Sequence, residues 1–187
     1  MQGGLFVQED DILFYLSELG KQLEELGISK KRPVELEMIG GGFMLTQIHN
    51  RPFTEDVDVL VMNPDALADP DRYRVYKNAV RFVAYDYDLS EKWLSDNIGD
   101  FMQMVGRVPK GKLWKQFGPL KIYIPPADYI LALKIIAGRR KDMDDIHALL
   151  HRLKVTSRQK AQRLLDKYVT KDMQNYHSVE DTLDKFF

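Results

Sequence analysis

Cysteine is absent from this 187-residue chain, which excludes disulfides, zinc–thiolate sites and a thiol nucleophile. Long apolar runs are missing too. No stretch approaches the roughly 18 uninterrupted apolar residues of a membrane span, and the opening MQGGLFVQEDD lacks a basic region followed by an apolar core. A cytoplasmic protein with no membrane partner is the expectation. Nor is either charge in excess: 27 basic and 28 acidic residues leave a net charge of −1. No global field draws the chain onto nucleic acid, so any such contact must come from a local patch. Internal repeats and low-complexity segments are also absent. What is present is an ordinary globular mixture, 44% apolar and 29% charged, in a chain long enough for one core and a small helical appendage.

Periodicity divides the chain into elements. Asp10 and Asp11 suit the start of a helix whose Ile12, Leu16, Leu19, Leu23 and Leu26 share a face, with Gly27 as its stop. Val34 to Met38 alternates apolar and acidic residues, the pattern of a strand with one buried face. A helix is expected from about Phe43 to His49, a strand from Asp56 to Met62, and a helix from about Asp71 to Tyr85. Trp93 and Leu94 read as core. Gly106 to Gly118 reads as a basic loop carrying Arg107, Lys110, Lys112 and Lys115 around Trp114, either a solvated connector or a nucleic-acid contact. Leu120 to Ile124 alternates as a strand ended by Pro125 and Pro126. Three helices follow: Ala127 to Ala137, one with Ile146, Leu149, Leu150 and Leu153 on its buried face, and Ser157 to Val169. The tail after Thr170 is expected to be amphipathic or loosely attached.

Chemistry concentrates in IGGGFMLTQIHNRPFTEDVDVLVM. Strand alternation points Asp56 and Asp58 to one face while Val57, Val59 and Val61 point to the other. Neighbouring carboxylates repel when both are ionised and so favour a shared proton or a cation, and Mg2+ commonly takes one or two carboxylates together with substrate phosphates. Gly40, Gly41 and Gly42 supply the complementary half. A strand-to-helix turn without Cβ atoms lets backbone N–H groups approach an anion. Arg51 and Thr54 sit just before the carboxylates, where an arginine can bind phosphate oxygens bidentately. Further along, Lys134 is the one basic residue in an apolar helix, so it must snorkel out or meet an anion. Asp142, Asp144 and Asp145 suit the start of the next helix. His147 and His151 have a zinc-compatible spacing but no third ligand.

Glycines at a strand end, a helix, then Arg51 and Thr54 before Asp56-Val57-Asp58 resemble the signature of the polymerase-β-like nucleotidyltransferase superfamily. Lys134, Arg139 and Asp142-Met143-Asp144-Asp145 are similar to the second motif of its small bacterial abortive-infection and toxin–antitoxin members, with Met143 in place of leucine; the Trp93-Leu94-x-Asp96 element is similar to a related domain of unknown function. The resemblance implies an α/β (α+β) fold: a small mixed sheet with flanking helices over residues 1–125 and a helical part over 126–187. It implies Asp56, Asp58, Lys134, Asp142 and Asp145 as catalytic residues, and Gly40, Gly41, Gly42, Arg51, Thr54 and Arg139 as nucleotide-binding. Mg2+ or Mn2+ would sit on Asp56 and Asp58, with Asp96 a candidate third ligand. A nucleoside triphosphate would be the substrate, an RNA end, a protein or a small molecule the acceptor, and a cognate protein a further partner. One departure stands out: such enzymes carry a third carboxylate on a later strand, and Leu120 to Ile124 contains no acidic residue. A degenerate nucleotide-binding or protein-partner module of the same fold is the alternative.

Overall fold

The structure, a computed structural model, describes residues 6–187. It is an α+β fold: a five-stranded mixed sheet with flanking helices and a helical C-terminal part. The chain forms two compact units. One holds residues 6–98 together with Lys110–Ile124; the other holds Gly99–Pro109 and Pro125–Phe187. A single division after residue 125, as the sequence suggests, therefore misses the segment that leaves the sheet unit early.

In the sheet unit, α1 (Glu9–Glu25) leads to β1 (Val34–Met38), then α2 (Gly40–Phe43) and a π turn (Met44–Ile48) precede β2 (Val57–Val61). α3 (Pro70–Asp86), β3 (Leu94–Ser95), β4 (Lys112–Phe117) and β5 (Leu120–Ile124) complete it. Strand order is β3-β2-β1-β5-β4. β1 runs antiparallel to β2 and parallel to β5, β2 is parallel to β3, and β4 and β5 form a hairpin turned by Gly118 at φ +56°. The register places Leu36 opposite Val61 and Ile122, and Met38 opposite Val59. These side chains share one sheet face and join Ile12, Leu16, Leu19 and Leu23 of α1 and Tyr76, Ala79, Val80 and Val83 of α3 in the hydrophobic core. Trp93 lies in that core, its indole N–H donating to the Val80 carbonyl at 3.1 Å. Leu26, expected on the buried face of α1, is exposed because the helix has ended at Glu25.

The basic stretch before Gly118 is a strand rather than a loop. Lys112–Phe117 pairs with β5 through a bulge between Leu113 and Lys115, and that irregularity hides the alternation from the sequence.

In the helical unit, α4 (Gly99–Val105) contributes buried Met102 and Val105, and Gly106 bridges to Val169. α5 (Ala127–Ala137), α6 (Met143–Leu153) and α7 (Arg158–Tyr168) follow, then α8 (Lys171–Tyr176) and α9 (Val179–Leu183). α5 packs against α6, α7 and α9, and its apolar residues are buried nearly all round. The tail after Thr170 is thus built into the unit: Gln174, Val179, Thr182 and Leu183 are buried. Among the described residues no helix is long and apolar enough to cross a membrane.

Candidate functional site

β1 ends at Met38, and all three glycines lie in the first turn of the helix that follows, three residues earlier than the apolar pattern suggests. Gly40 takes φ +59°, which side-chain-bearing residues rarely adopt. A Cβ there would stand 2.5 Å from Oδ2 of Asp58, and a Cβ on Gly41 would collide with Oγ1 of Thr54 and lie 3.4 Å from Nη1 of Arg51. The absence of side chains therefore lets the helix start press directly onto β2 and the loop before it. From Met44 to Ile48 the helix widens into a π turn, closed by the bond from His49 N–H to the Met44 carbonyl at 2.9 Å and by left-handed His49 at φ +57°. His49 turns away to Glu9, its Nδ1 3.0 Å from Oε2.

Thr54 is fixed twice. Its backbone pairs with Val7, and its hydroxyl donates to the Asp56 carbonyl at 2.9 Å. Asp56 lies immediately before β2 and Asp58 within it; both are half-buried, and the two-residue period gives them one face, opposite the core face that holds Val57 and Val59. The structure thus gathers Gly40, Gly41, Arg51, Thr54 and Asp58 around the start of β2, with Asp56 beside them. Gly42 is different: a Cβ on it would meet Met38 and Val57, so it serves packing.

Asp56 and Asp58 are the residues here that could hold a divalent ion, as two hard oxygen donors on one face, with the glycine turn packed directly against Asp58. Among the described residues no three or more His, Asp or Glu side chains form a ready metal cage. An ion on Asp56 and Asp58 would complete its shell with phosphate oxygens and water.

Asp96 does not join this pair. It follows β3, and its carboxylate accepts from Lys77 Nζ at 2.8 Å and from the Tyr76 phenol, both on α3 against the core face. Burial, reinforced by Asp96, pushes the Tyr76 phenol well above its usual range.

The second expected group is a compact cluster inside the helical unit. Lys134 meets anions after all, but they are its own: Nζ lies 2.5 Å from Asp142 Oδ1 and 2.8 Å from Asp145 Oδ2, and all three residues are buried. Arg139 Nε donates to the other Asp142 oxygen at 2.7 Å. Asp142 caps no N–H of α6 with its side chain, which the two cations hold instead. His147 and His151 are both exposed, and His147 packs edge-on against Phe186 rather than facing a metal. A groove of about 840 Å³, lined largely by long polar side chains, runs past α7, α8 and α9. Its cations are already engaged, Arg158 by Glu180 and Asp184 and Lys171 by Asp166.

One residue that the motif search passes over stands out. Glu37 shares the face of Asp58 and is fully buried. Its Oε1 accepts the Gly111 N–H at 2.6 Å, while Oε2 has no hydrogen-bond partner. Burial pushes its carboxyl up to about 7, only partly opposed by the Gly111 bond. Acidic alternation in a strand reads as solvent-facing, so nothing in the sequence marked it.

A scan against protein-family models found no match, and searches of curated proteins and of solved structures returned no significant one.

Proposed function

We propose that this chain is a metal-dependent, polymerase-β-like nucleotidyltransferase that moves a nucleoside monophosphate from a triphosphate to a hydroxyl acceptor. The observation that carries this reading is the contact of the glycine helix start with Asp58 and Thr54: Gly40 at positive φ against the carboxylate, Gly41 against the hydroxyl. Such a contact joins an anion-compatible turn to a pair of hard oxygen donors, the two halves needed to hold a metal–triphosphate. Mg2+ or Mn2+ on Asp56 and Asp58 would supply Lewis-acid stabilisation of charge at the α-phosphate. The chain's own part is positioning. The glycines would admit phosphate oxygens close to backbone N–H groups, with Arg51 offering guanidinium donors beside them and the Thr54 hydroxyl, hydrogen-bonded to the Asp56 carbonyl, fixing the entry to β2. The acceptor hydroxyl would give up its proton to water as its oxygen bonds to the α-phosphorus, the bond to the bridging oxygen breaks, and pyrophosphate leaves with its electron pair. An RNA end, a protein hydroxyl or a small molecule is an acceptor this chemistry allows.

Titrating ATP, GTP, CTP and UTP with Mg2+ into the wild type and Asp58→Asn by calorimetry tests the reading. Metal-dependent binding weakened at least about tenfold in the variant is expected, since a contact to a charged group contributes about 1.5 kcal/mol or more. Equal binding by both proteins, or none by the wild type, overturns it. Pyrophosphate release by the wild type, lost in the variant, would establish transfer.

A second reading is a nucleotide-binding or protein-partner module of the same fold that performs no transfer. It is favoured by Lys134, whose charge is taken up by Asp142 and Asp145, and by the lack of an acidic residue on β5. Tight metal–nucleotide binding without pyrophosphate release, across RNA and protein acceptors, is its signature.

A further inference from the structure

The buried carboxyl of Glu37 belongs to no part of the chemistry above, and its surroundings are unusual. Opposite it across the register stand Leu60 of β2 and Tyr123 of β5. Among the described residues none of the charged groups on the same face is hydrogen-bonded to it. Asp58 is the diagonal neighbour on β2, packed by Gly40. Glu35, on β1 itself, pairs with Lys121 of β5 at 3.6 Å and accepts from the Tyr123 phenol. At the start of β4, Lys110 lies 6.0 Å above the Tyr123 ring and Lys112 is exposed. Among the described residues the one hydrogen bond of Glu37 is thus from the backbone N–H of Gly111, and its second oxygen is buried without a hydrogen-bond partner.

Gly111 is equally constrained. A Cβ there would collide with both Glu37 Oε1 and the Ile124 carbonyl. It lies just after the chain re-enters the sheet unit at Lys110, and Ile124 is the last residue before the chain leaves again. One carboxyl therefore holds the residue just before β4, which itself packs closely against the Ile124 carbonyl at the end of β5.

We infer that Glu37 is a proton-held latch: its neutral carboxyl, enclosed beneath the start of β4, keeps Gly111–Leu113 docked, and loss of the proton favours release of that segment into water. An enclosed carboxylate with a single N–H donor is poorly stabilised, whereas the same group released to solvent ionises freely. The sign follows from linkage. The docked carboxyl titrates near 7 and the released one near the ordinary 4.5. Docking is favoured fully below 4.5, weakens as pH rises between the two values, and changes no further above 7. Across that window the opening equilibrium should rise about tenfold per pH unit, on the order of 10²-fold in all.

Amide hydrogen exchange at Gly111, Lys112 and Leu113 from pH 4.5 to 8, corrected for intrinsic exchange and compared with β1 amides, reads this directly. Protection should fall through the window in the wild type and stay flat in Glu37→Gln, which keeps the acceptor for Gly111 but has no proton to lose. An equal slope in the variant, or a flat wild type, overturns the latch. Carbon-13 titration of the Glu37 carboxyl in the wild type decides the matter even if the variant folds poorly: a midpoint near 7 supports the latch, and one near 4.5 overturns it. Neither measurement involves nucleotide, so the latch and the proposed transfer stand or fall separately.

Discussion

At Gly40 two demands coincide, a left-handed backbone and a missing side chain against Asp58. Gly40→Ala meets both penalties, backbone strain and a clash with Oδ2, and should cost about 1–3 kcal/mol in urea unfolding. Lys134 presents the opposite case, a charge that stays buried because two carboxylates enclose it. Lys134→Met would remove the buried cation that Asp142 and Asp145 share, and should destabilise by about 3–5 kcal/mol, seen as a lowered Tm. For Glu37 the effect grows with pH. Glu37→Gln should match the wild type near pH 4.5 and be more stable by about 2–3 kcal/mol at pH 8, because only the wild type then buries a charge. Denaturant melts at both pH values check this. Of these residues, the sequence marked Gly40 and Lys134 by residue type and setting. It left Glu37 unmarked, because whether the second face of a strand is wet or covered depends on what else packs there.

Among the elements, the amphipathic helices were the most legible. In α1, Ile12, Leu16, Leu19 and Leu23 repeat at helical spacing, and all are fully buried. β4 escaped notice for an identifiable reason: its bulge at Trp114 breaks the two-residue period, and Lys112 and Lys115 give it the composition of a loop. The same features suit its position. β4 is a sheet edge with exposed lysines, a bulge and no neighbour on its outer side within the described order, and charge and irregularity discourage edge-to-edge pairing between molecules. Replacing Lys112 and Lys115 together with valine should lower solubility and produce concentration-dependent oligomers in light scattering, while far-ultraviolet circular dichroism stays close to wild type. The glycine helix was read three residues late because its first turn carries no apolar side chain to set the phase.

For the whole molecule, the mixed sheet and helical C-terminal part were foreseeable from the order of elements, but the path of the chain between the units was not. Residues 99–109 have no composition that separates them from their neighbours, and their membership rests on contacts such as the Gly106–Val169 bridge and buried Met102 and Val105. A fragment comprising residues 126–187 alone lacks these partners, and should show a broad, weakly cooperative thermal transition by circular dichroism rather than a sharp one. The same arrangement sets an order of events during synthesis. α4 emerges from the ribosome early, whereas Tyr168, Val169 and Thr170, whose backbone pairs with residues 105–107, are made much later. Meanwhile β1 and β2 can pair, and β5 must later be laid along the other side of β1. The stretch from 99 to 109 is the part of the chain that waits, and a nascent protein stalled before α7 would present it to any chaperone in reach.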